Sequence, residues 1–130
     1  MADSGSGTAA LANKRVLVVE DEYLIASDLR RQLTAAHAKV VGPVADVATG
    51  CRLAETEPID AAVIDVNLNG EWSFALADRL TTMGIPYLFV TGYDGSSLPE
   101  VYRATPRLTK PYAQAVMIAA VSALCGQGDR

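Results

Sequence analysis

The sequence has few cysteines, a single histidine and no long hydrophobic run, and each shortage argues against a class of protein. Cys51 and Cys125 are too few for a disulfide framework, and His37 alone argues against a zinc site. No apolar stretch approaches the ~18 residues of a membrane-spanning helix, and no signal-peptide pattern opens the chain. We therefore expect a cytoplasmic protein that makes no contact with a membrane.

Positive charge is also in short supply. The 130 residues include 11 basic and 15 acidic side chains, which gives a net charge of −4. Nucleic-acid-binding modules need a basic face to meet phosphates, so this balance argues against that class. Hydrophobic residues make up 50% of the chain, which excludes global disorder, and the length predicts one domain.

Short apolar runs alternate along the chain with segments of helical periodicity. Residues 16–19 are apolar on both faces, which is typical of a central parallel strand covered by helices on each side. Pro43 lacks an N–H group, so the second strand is predicted to lie at an edge. Asp46 is predicted to cap the second helix and Pro58 to end it, and Gly84 is predicted to end the third helix. The predicted strands are residues 16–19, 39–44, 61–66, 87–90 and 107–109, and the predicted helices are residues 22–36, 46–57, 72–84, 96–104 and 112–125.

Five strand–helix units predict a flavodoxin-like α/β fold, with a doubly wound, five-stranded parallel sheet in the order 2-1-3-4-5. Residues 1–13 lack a periodic pattern and are interpreted as a flexible N-terminal tail. The single domain is then expected to span residues 14–125, with a C-terminal tail at residues 126–130. In such a sheet the site lies at the carboxyl ends of the strands, between the first and the third.

The predicted strand ends bring carboxylates, a hydroxyl and an ammonium group to this edge. The first strand ends in residues 20–22 (Glu-Asp-Glu), the third in Asp65, the fourth in Thr91 and the fifth in Lys110. Carboxylates this close favour a bound cation, and Mg²⁺ prefers oxygen ligands while keeping positions open for a phosphoryl oxygen. Asp65 is then a candidate nucleophile toward phosphorus, with Lys110 and Thr91 holding phosphoryl oxygens.

With these residues the chain resembles the receiver domain of two-component response regulators, from about residue 15 to residue 124. The resemblance implies transfer of a phosphoryl group from a histidine kinase or a phosphotransfer protein to Asp65. It also implies Mg²⁺ as the cofactor. Asp21 and Asp65 would be direct ligands, the backbone carbonyl of Asn67 would be another, and Glu20 would act mainly through a metal-bound water.

Finer features extend the resemblance. Residues 89–93 (Phe-Val-Thr-Gly-Tyr) and residues 65–70 (Asp-Val-Asn-Leu-Asn-Gly) are similar to signatures of the FAT GUY subgroup of receivers. Its members are mostly stand-alone bacterial receivers, and several are linked to the general stress response. In the wider family, the peptide bond at the position of Lys110 and Pro111 is commonly cis.

Two positions depart from the wider family. Glu20 stands where Asp is usual, so direct coordination of the metal becomes an option beside the water-mediated contact. Arg107 stands where most receivers carry a Tyr or Phe that rotates inward when the Thr hydroxyl moves to the phosphoryl group. A guanidinium does not readily enter that apolar slot without a partner. We expect a rearrangement of the loop Thr91-Gly92-Tyr93 to replace the rotation.

The last predicted helix carries little charge on its outer side. Its predicted core face consists of Ala113, Met117, Ala120, Val121 and Leu124. Ile118 is expected to point away from this face, near Ala115, Ser122 and Cys125. Because the last units of receivers often contact partners, the resemblance suggests a weak contact face around Ile118, in a monomer or weak homodimer.

The leading interpretation is a stand-alone response regulator receiver. It would signal through phosphorylation-dependent protein contacts or drain phosphoryl groups from a kinase, and it would not be an enzyme beyond self-phosphorylation and autodephosphorylation. A pseudo-receiver that binds partners without phosphorylation remains the alternative, because of Glu20 and Arg107. An FMN-binding flavodoxin is rejected because residues 20–22 would repel phosphate. A phosphatase of the haloacid dehalogenase type is rejected because it carries its nucleophile after the first strand.

Overall fold

Parallel strands alternate with helices along the chain, as the apolar pattern predicts. The computed structural model describes residues 10–92 and 98–128. Its elements, in chain order, are β1 (Arg15–Val19), α1 (Tyr23–Ala35), β2 (Lys39–Val44), α2 (Val47–Thr56), β3 (Ala61–Asp65), β4 (Asn67–Leu68), β5 (Glu71–Trp72), α3 (Phe74–Thr82), β6 (Tyr87–Thr91), a 3-10 turn (Glu100–Tyr102), β7 (Arg107–Thr109) and α4 (Gln114–Gly128).

The main sheet has the order β2-β1-β3-β6-β7, and its neighbouring strands are all parallel. β4 and β5 form a separate antiparallel hairpin, so β6 and β7 are the fourth and fifth strands of the main sheet. The predicted flavodoxin-like order 2-1-3-4-5 is therefore confirmed. The strand that contains Pro43 lies at the edge, as predicted. The chain leaves β1 for β2 on one side and returns to β3 on the other, so the switch point lies between β1 and β3.

The core lies on both faces of the sheet. Val16 and Val18 of β1 belong to a cluster covered by α1 and α4, whereas Leu17 and Val19 belong to a cluster covered by α2 and α3. All four side chains have 0% of their surface exposed. Burying each such side chain contributes about 1.5–3 kcal/mol, which explains why this strand has no polar face.

The helix ends follow from local chemistry. The Asp46 carboxylate accepts a hydrogen bond of 2.9 Å from the backbone N–H of Thr49, which confirms it as the cap of α2. Gly84 adopts a φ of 74° directly after the last turn of α3, which confirms it as the stop of that helix. Among residues 10–92 and 98–128, none of the helices has the length and apolar character needed to cross a lipid bilayer.

The domain extends beyond the predicted boundaries at both ends. Leu11, which was predicted to lie in the N-terminal tail, is fully buried, and its N–H donates a 3.1 Å hydrogen bond to the carbonyl of Ala36. At the other end, α4 continues to Gly128, so the predicted C-terminal tail from residue 126 is wrong there. Gly126 does not end the helix because it lacks the positive φ of a helix-ending glycine.

Two predicted helices are also corrected. Trp72 lies in β5, paired with Asn67, and α3 begins only at Phe74, because residues 69 and 70 turn the chain back with positive φ angles. For the helix predicted at 96–104, residues 93–97 lie outside the described residues, and the described part contains only the 3-10 turn Glu100–Tyr102. Pro99 disfavours helical backbone in the residue before it, so the turn begins only after Pro99.

Candidate functional site

Asp65 is the last residue of β3 and lies at the carboxyl edge of the sheet, next to the switch point. It is buried, with 7% of its surface exposed. Its Oδ1 accepts a 3.0 Å hydrogen bond from the backbone N–H of Asn67, and its Oδ2 accepts one of 2.9 Å from Lys110 Nζ. The buried carboxylate therefore has one neutral donor and one cationic donor, which hold it in a fixed orientation.

Lys110 reaches the site from the residue after β7. Its backbone N–H donates a 2.8 Å hydrogen bond to the carbonyl of Thr91, which ties the two strand ends together. In addition to its hydrogen bond with Asp65, its Nζ lies 3.4 Å from Glu20 Oε1 and 3.5 Å from Glu22 Oε1. Burial lowers the pKa of Lys110, but the hydrogen bond and charge of Asp65 outweigh this and raise the pKa above its usual value. Lys110 is therefore a permanent cation among carboxylates.

Glu20 directly follows β1 and is buried, with 3% of its surface exposed. Its Oε2 accepts a 3.1 Å hydrogen bond from the backbone N–H of Glu22, whereas its Oε1 accepts no hydrogen bond from the described residues and has the Lys110 ammonium group 3.4 Å away. Burial, together with the negative charge of Asp65, raises the pKa of Glu20 to about 8. A buried carboxylate oxygen without a donor is costly, so it suits a position that a cation or its water can occupy.

Asp21 is held by the hairpin that follows β3. Asn69 and Gly70 form its turn with φ angles of 54° and 88°. The N–H of Gly70 donates to Asn67 Oδ1 at 2.7 Å, and the N–H of Asn69 donates to Asp21 Oδ2 at 3.0 Å. The hairpin thus contacts Asp21 through Asn69 and Asp65 through Asn67, so one small element orients two of the carboxylates.

Three carboxylates are grouped closely enough to share one cation. One ligand atom each from Glu20, Asp21 and Asp65 lies within 4.8 Å of the others. Oxygen ligands from carboxylates are the set that a hard divalent ion prefers, and the Glu20 oxygen without a donor points to the same use. These residues therefore fit a Mg²⁺ ion, whose remaining coordination positions would be open to ligands from outside the protein.

Thr91 ends β6 at the same edge as Asp65. The register pairs Asp65 with Val90, so Thr91 lies one residue further toward the carboxyl end, and it is buried. Gly92 follows as an exposed residue, and Tyr93, the third member of the expected switch loop, lies outside the described residues. The peptide bond between Lys110 and Pro111 is cis, the isomer that the resemblance implies.

Arg107 does not enter an apolar slot. It is exposed, and its Nη1 donates a 3.0 Å hydrogen bond to the carbonyl of Arg103. Tyr102, five residues before Arg107, stacks on Phe74 with ring centres 4.5 Å apart and donates a 2.8 Å hydrogen bond from its hydroxyl to Asp78. The ring is thus fixed by packing at one end and by a hydrogen bond at the other.

Ile118 does not stand free on α4. It is half-buried and packs against the core cluster under α1 and α4. Cys125, which was predicted to share its outer face, is buried, whereas Ala113 of the predicted core face is exposed. Met117, Val121 and Leu124 of the predicted face are buried and Ala120 packs against them, so most of that face is confirmed and Cys125 extends it. The outer groove that Ile118 lines is formed by Ala10, Gln114, Ala115, Ala119, Ser122 and Ala123. A contact face at Ile118 stays a prediction.

Two residues of the site escaped sequence reasoning. Glu22 was part of the acidic run, but its approach to Lys110 depends on the alignment of β1 with β7 across the whole sheet. Asn69 acts through its backbone N–H, which no side-chain motif reveals. The turn pair Asn69-Gly70 was the available signal, since this dipeptide favours a tight hairpin turn with two positive φ angles.

Relatives with related sequences and structures support this arrangement. The transcriptional activator protein IrlR of Burkholderia pseudomallei is 32% identical over 119 residues, which cover 88% of this chain and 52% of IrlR. The solution structure of SdrG from Sphingomonas melonis Fr1 is 38% identical with a TM-score of 0.75, covering 89% of this chain and 97% of that chain. A second SdrG structure, of a BeF3-activated conformation, is 36% identical with a TM-score of 0.74, covering 87% and 98%.

The response regulator PhyR from Brucella abortus is similar over more of the chain. Its crystal structure is 26% identical with a TM-score of 0.73 and covers 96% of this chain and 51% of that chain. The chain spans about half the length of the curated relatives it matches, 52% of IrlR and 57% of the transcriptional regulatory protein PdtaR of Mycobacterium tuberculosis.

A family model decides the assignment. The model of the response regulator receiver domain matches residues 16–122, which include the main sheet except Arg15 and each of the acidic, hydroxyl and lysine positions described above. Receiver domains are signalling domains that accept a phosphoryl group. With this match, the strand order and the carboxylate–lysine arrangement at the sheet edge, the chain belongs to the response regulator receiver domain family.

Proposed function

We propose that the protein is a phosphoacceptor that receives a phosphoryl group on Asp65 from a histidine kinase or a phosphotransfer protein. The observation that carries the proposal is the placement of Lys110 Nζ 2.9 Å from Asp65 Oδ2, beside the group of Glu20, Asp21 and Asp65. A buried carboxylate held between a cation and a set of metal-type ligands is suited to attack phosphorus.

In the transfer, a carboxylate oxygen of Asp65 forms a bond to phosphorus while the P–N bond of the phosphohistidine breaks. The imidazole nitrogen keeps the electron pair of that bond and takes up a proton. Lys110 then balances negative charge on the phosphoryl oxygens, and the hydroxyl of Thr91 is the candidate donor to another of them. The N–H of Asn67 holds the Asp65 carboxylate in place during the attack.

Mg²⁺ is the cofactor that the proposal includes. Asp21 and Asp65 would hold it directly with the backbone carbonyl of Asn67, and Glu20 would hold it through a water or through its own Oε1. When bound, the ion supplies positive charge that offsets the charge on the phosphoryl oxygens. Removal of the ion should therefore stop phosphorylation without unfolding the chain.

The output of the phosphorylated form is proposed to be a protein contact or the removal of phosphoryl groups from a kinase. Because Arg107 cannot serve as the buried aromatic, a rearrangement of the loop that begins at Thr91 and Gly92 is proposed to signal the change. The Phe-Val-Thr-Gly-Tyr segment supports membership of the FAT GUY subgroup and, with it, a role of a cytoplasmic bacterial receiver in the general stress response. The likeness to SdrG, which has been solved in a BeF3-activated conformation, supports an activatable receiver.

The test is incubation of the protein with Mg²⁺ and acetyl phosphate, followed by measurement of its intact mass. Asp65→Asn is the control, because it keeps the shape of the side chain and removes the nucleophilic oxygen. One added phosphoryl group on the native chain and none on the variant is the expected result. A pseudo-receiver predicts no adduct on either chain and no change in the amide NMR spectrum on addition of Mg²⁺ and beryllofluoride.

A further inference from the structure

A third carboxylate lies close to the lysine of the site, at its exposed mouth. Lys110 Nζ lies 3.5 Å from Glu22 Oε1, in addition to its contacts with Asp65 and Glu20. The Glu22 side chain has 62% of its surface exposed, so it faces the solvent from which a phosphodonor arrives. Its backbone is fixed in that place, because its N–H donates a 3.1 Å hydrogen bond to Glu20 Oε2.

The mouth of the site holds more carboxyl groups than cationic side chains. Four carboxyl groups surround the place where a phosphoryl group must bind, those of Glu20, Asp21, Glu22 and Asp65. Within the described part of the chain, Lys110 is the cation that contacts Glu20, Glu22 and Asp65. Arg30 lines a neighbouring groove with Glu20 and Asp21, and Lys110 and Pro111 line a different one.

The phosphoryl oxygens and the Glu22 carboxylate need the same partner. A phosphoryl group bonded to Asp65 must lie within reach of Lys110 Nζ, which is already 2.9 Å from Asp65 Oδ2. The Glu22 carboxylate therefore competes for that ammonium group and repels a donor that brings its own negative charge. A small free donor has no other contacts to offset the repulsion, whereas a protein donor has a docking interface.

We propose that Glu22 is a specificity-determining residue that slows phosphorylation of Asp65 by small free anionic phosphodonors and so favours transfer from a docked protein. The proposal rests on the proposed function of Asp65. The effect arises from the charge of the Glu22 carboxylate at the mouth of the site, so it should weaken as ionic strength rises.

The test compares the rates at which four chains form the phosphoryl adduct with acetyl phosphate at saturating Mg²⁺. The chains are the native protein, Glu22→Gln, Glu22→Asp and Glu100→Gln. Glu100 is an exposed glutamate in the 3-10 turn, so its variant makes the same change in net charge away from Lys110. Phosphoramidate, which carries less negative charge at neutral pH, is the second donor.

Glu22→Gln is expected to raise the rate with acetyl phosphate by about threefold or more. The reason is that it removes the repulsion between unit charges several ångströms apart in a largely aqueous setting. The gain should be smaller with phosphoramidate and should shrink as salt is added. Glu22→Asp and Glu100→Gln should stay near the native rate. A Glu22→Gln rate equal to or below the native rate, or an equal gain in Glu100→Gln, overturns the proposal.

The outcomes separate this proposal from the function on which it rests. An adduct on the native chain with no gain in Glu22→Gln contradicts the role of Glu22 and leaves Asp65 as the acceptor. An adduct that forms on Glu22→Gln but not on the native chain supports both. The absence of an adduct from all four chains, with no beryllofluoride response in any of them, contradicts both.

Discussion

Lys110 donates a 2.9 Å hydrogen bond to Asp65 Oδ2 across 45 positions of the chain. This contact joins the end of β7 to the end of β3, with β6 between them. It places a cation whose pKa is raised by Asp65 directly on the candidate phosphoacceptor. The same lysine lies within 3.5 Å of two further carboxylates, so it organises the charge of the whole site.

Lys110→Met should separate phosphoryl transfer from metal binding. The methionine keeps much of the length of the side chain and removes the charge that stabilises the phosphoryl oxygens. We expect the acetyl phosphate adduct to form about tenfold more slowly or worse. Mg²⁺ affinity, followed by titration calorimetry, should be retained or increased because a competing cation is lost. Lys39→Met, at the exposed start of β2, is the matched control and should leave both unchanged. Loss of Mg²⁺ binding in Lys110→Met would contradict this role.

Glu20→Gln should change how stability depends on pH in the metal-free protein. The pKa of Glu20 is about 8 in the folded chain and near 4.5 when unfolded, so between these values the folded state holds a proton that the unfolded state has released. Stability must therefore fall as pH rises through this window, by about 2–4 kcal/mol between pH 5 and pH 9.

The measurement is urea unfolding of both chains in the presence of a chelator. The difference in unfolding free energy between Glu20→Gln and the native protein should grow in favour of the variant as pH rises. Parallel pH profiles for the two chains would show that Glu20 is ionised in the folded protein at low pH as well.

The Asn69–Gly70 turn should matter for the candidate metal ligand Asp21. Gly70 and Gly84 both have positive φ angles, and a Cβ added at either would meet nothing within 4 Å. Gly70→Ala and Gly84→Ala should therefore cost similar stability, about 1 kcal/mol each, from backbone strain alone. Only Gly70→Ala should weaken Mg²⁺ binding, because that turn carries the N–H that holds Asp21. Equal Mg²⁺ affinities in the two variants would show that the hairpin does not orient the ligand.

Leu11→Ala tests whether the domain begins before residue 14. Leu11 is fully buried in the cluster under α1 and α4, so its truncation should lower the unfolding free energy by about 2–4 kcal/mol in a urea titration. Val101→Ala is the control, since 78% of Val101 is exposed and its change should stay within about 0.5 kcal/mol. A similarly small effect at both positions would show that Leu11 does not contribute to the core.

The sheet and the main site residues could be predicted because they depend on short-range patterns. Strands that are apolar on both faces, such as residues 16–19, must lie between layers of helices, and parallel strands bring their carboxyl ends to one edge. That rule is sufficient to bring Asp65, Thr91 and Lys110 together. The cap at Asp46 and the stop at Gly84 follow from equally local chemistry.

The features that escaped prediction depend on contacts that periodicity does not encode. Leu11 is one large apolar residue in a segment of mostly small residues without periodicity, and its place in the core depends on contacts with distant parts of the chain. The hairpin replaced the start of the third helix because Asn69 and Gly70 favour a tight turn over helical continuation. The burial of Cys125 escaped because nearly all residues of α4 are apolar or small, so the limits of its buried face are weakly specified.

The measurement that tests the central claim most directly is identification of the phosphorylated residue. The protein is incubated with Mg²⁺ and acetyl phosphate, reduced with borohydride, which converts an aspartyl phosphate to homoserine, and sequenced as peptides by mass spectrometry. Asp28→Asn, on the exposed face of α1, serves as the matched control for Asp65→Asn. Our account predicts homoserine at position 65 alone in the native and Asp28→Asn chains. Homoserine at another position would contradict it. The absence of homoserine from the native chain, together with equal beryllofluoride binding by the native and Asp65→Asn chains, would contradict it as well.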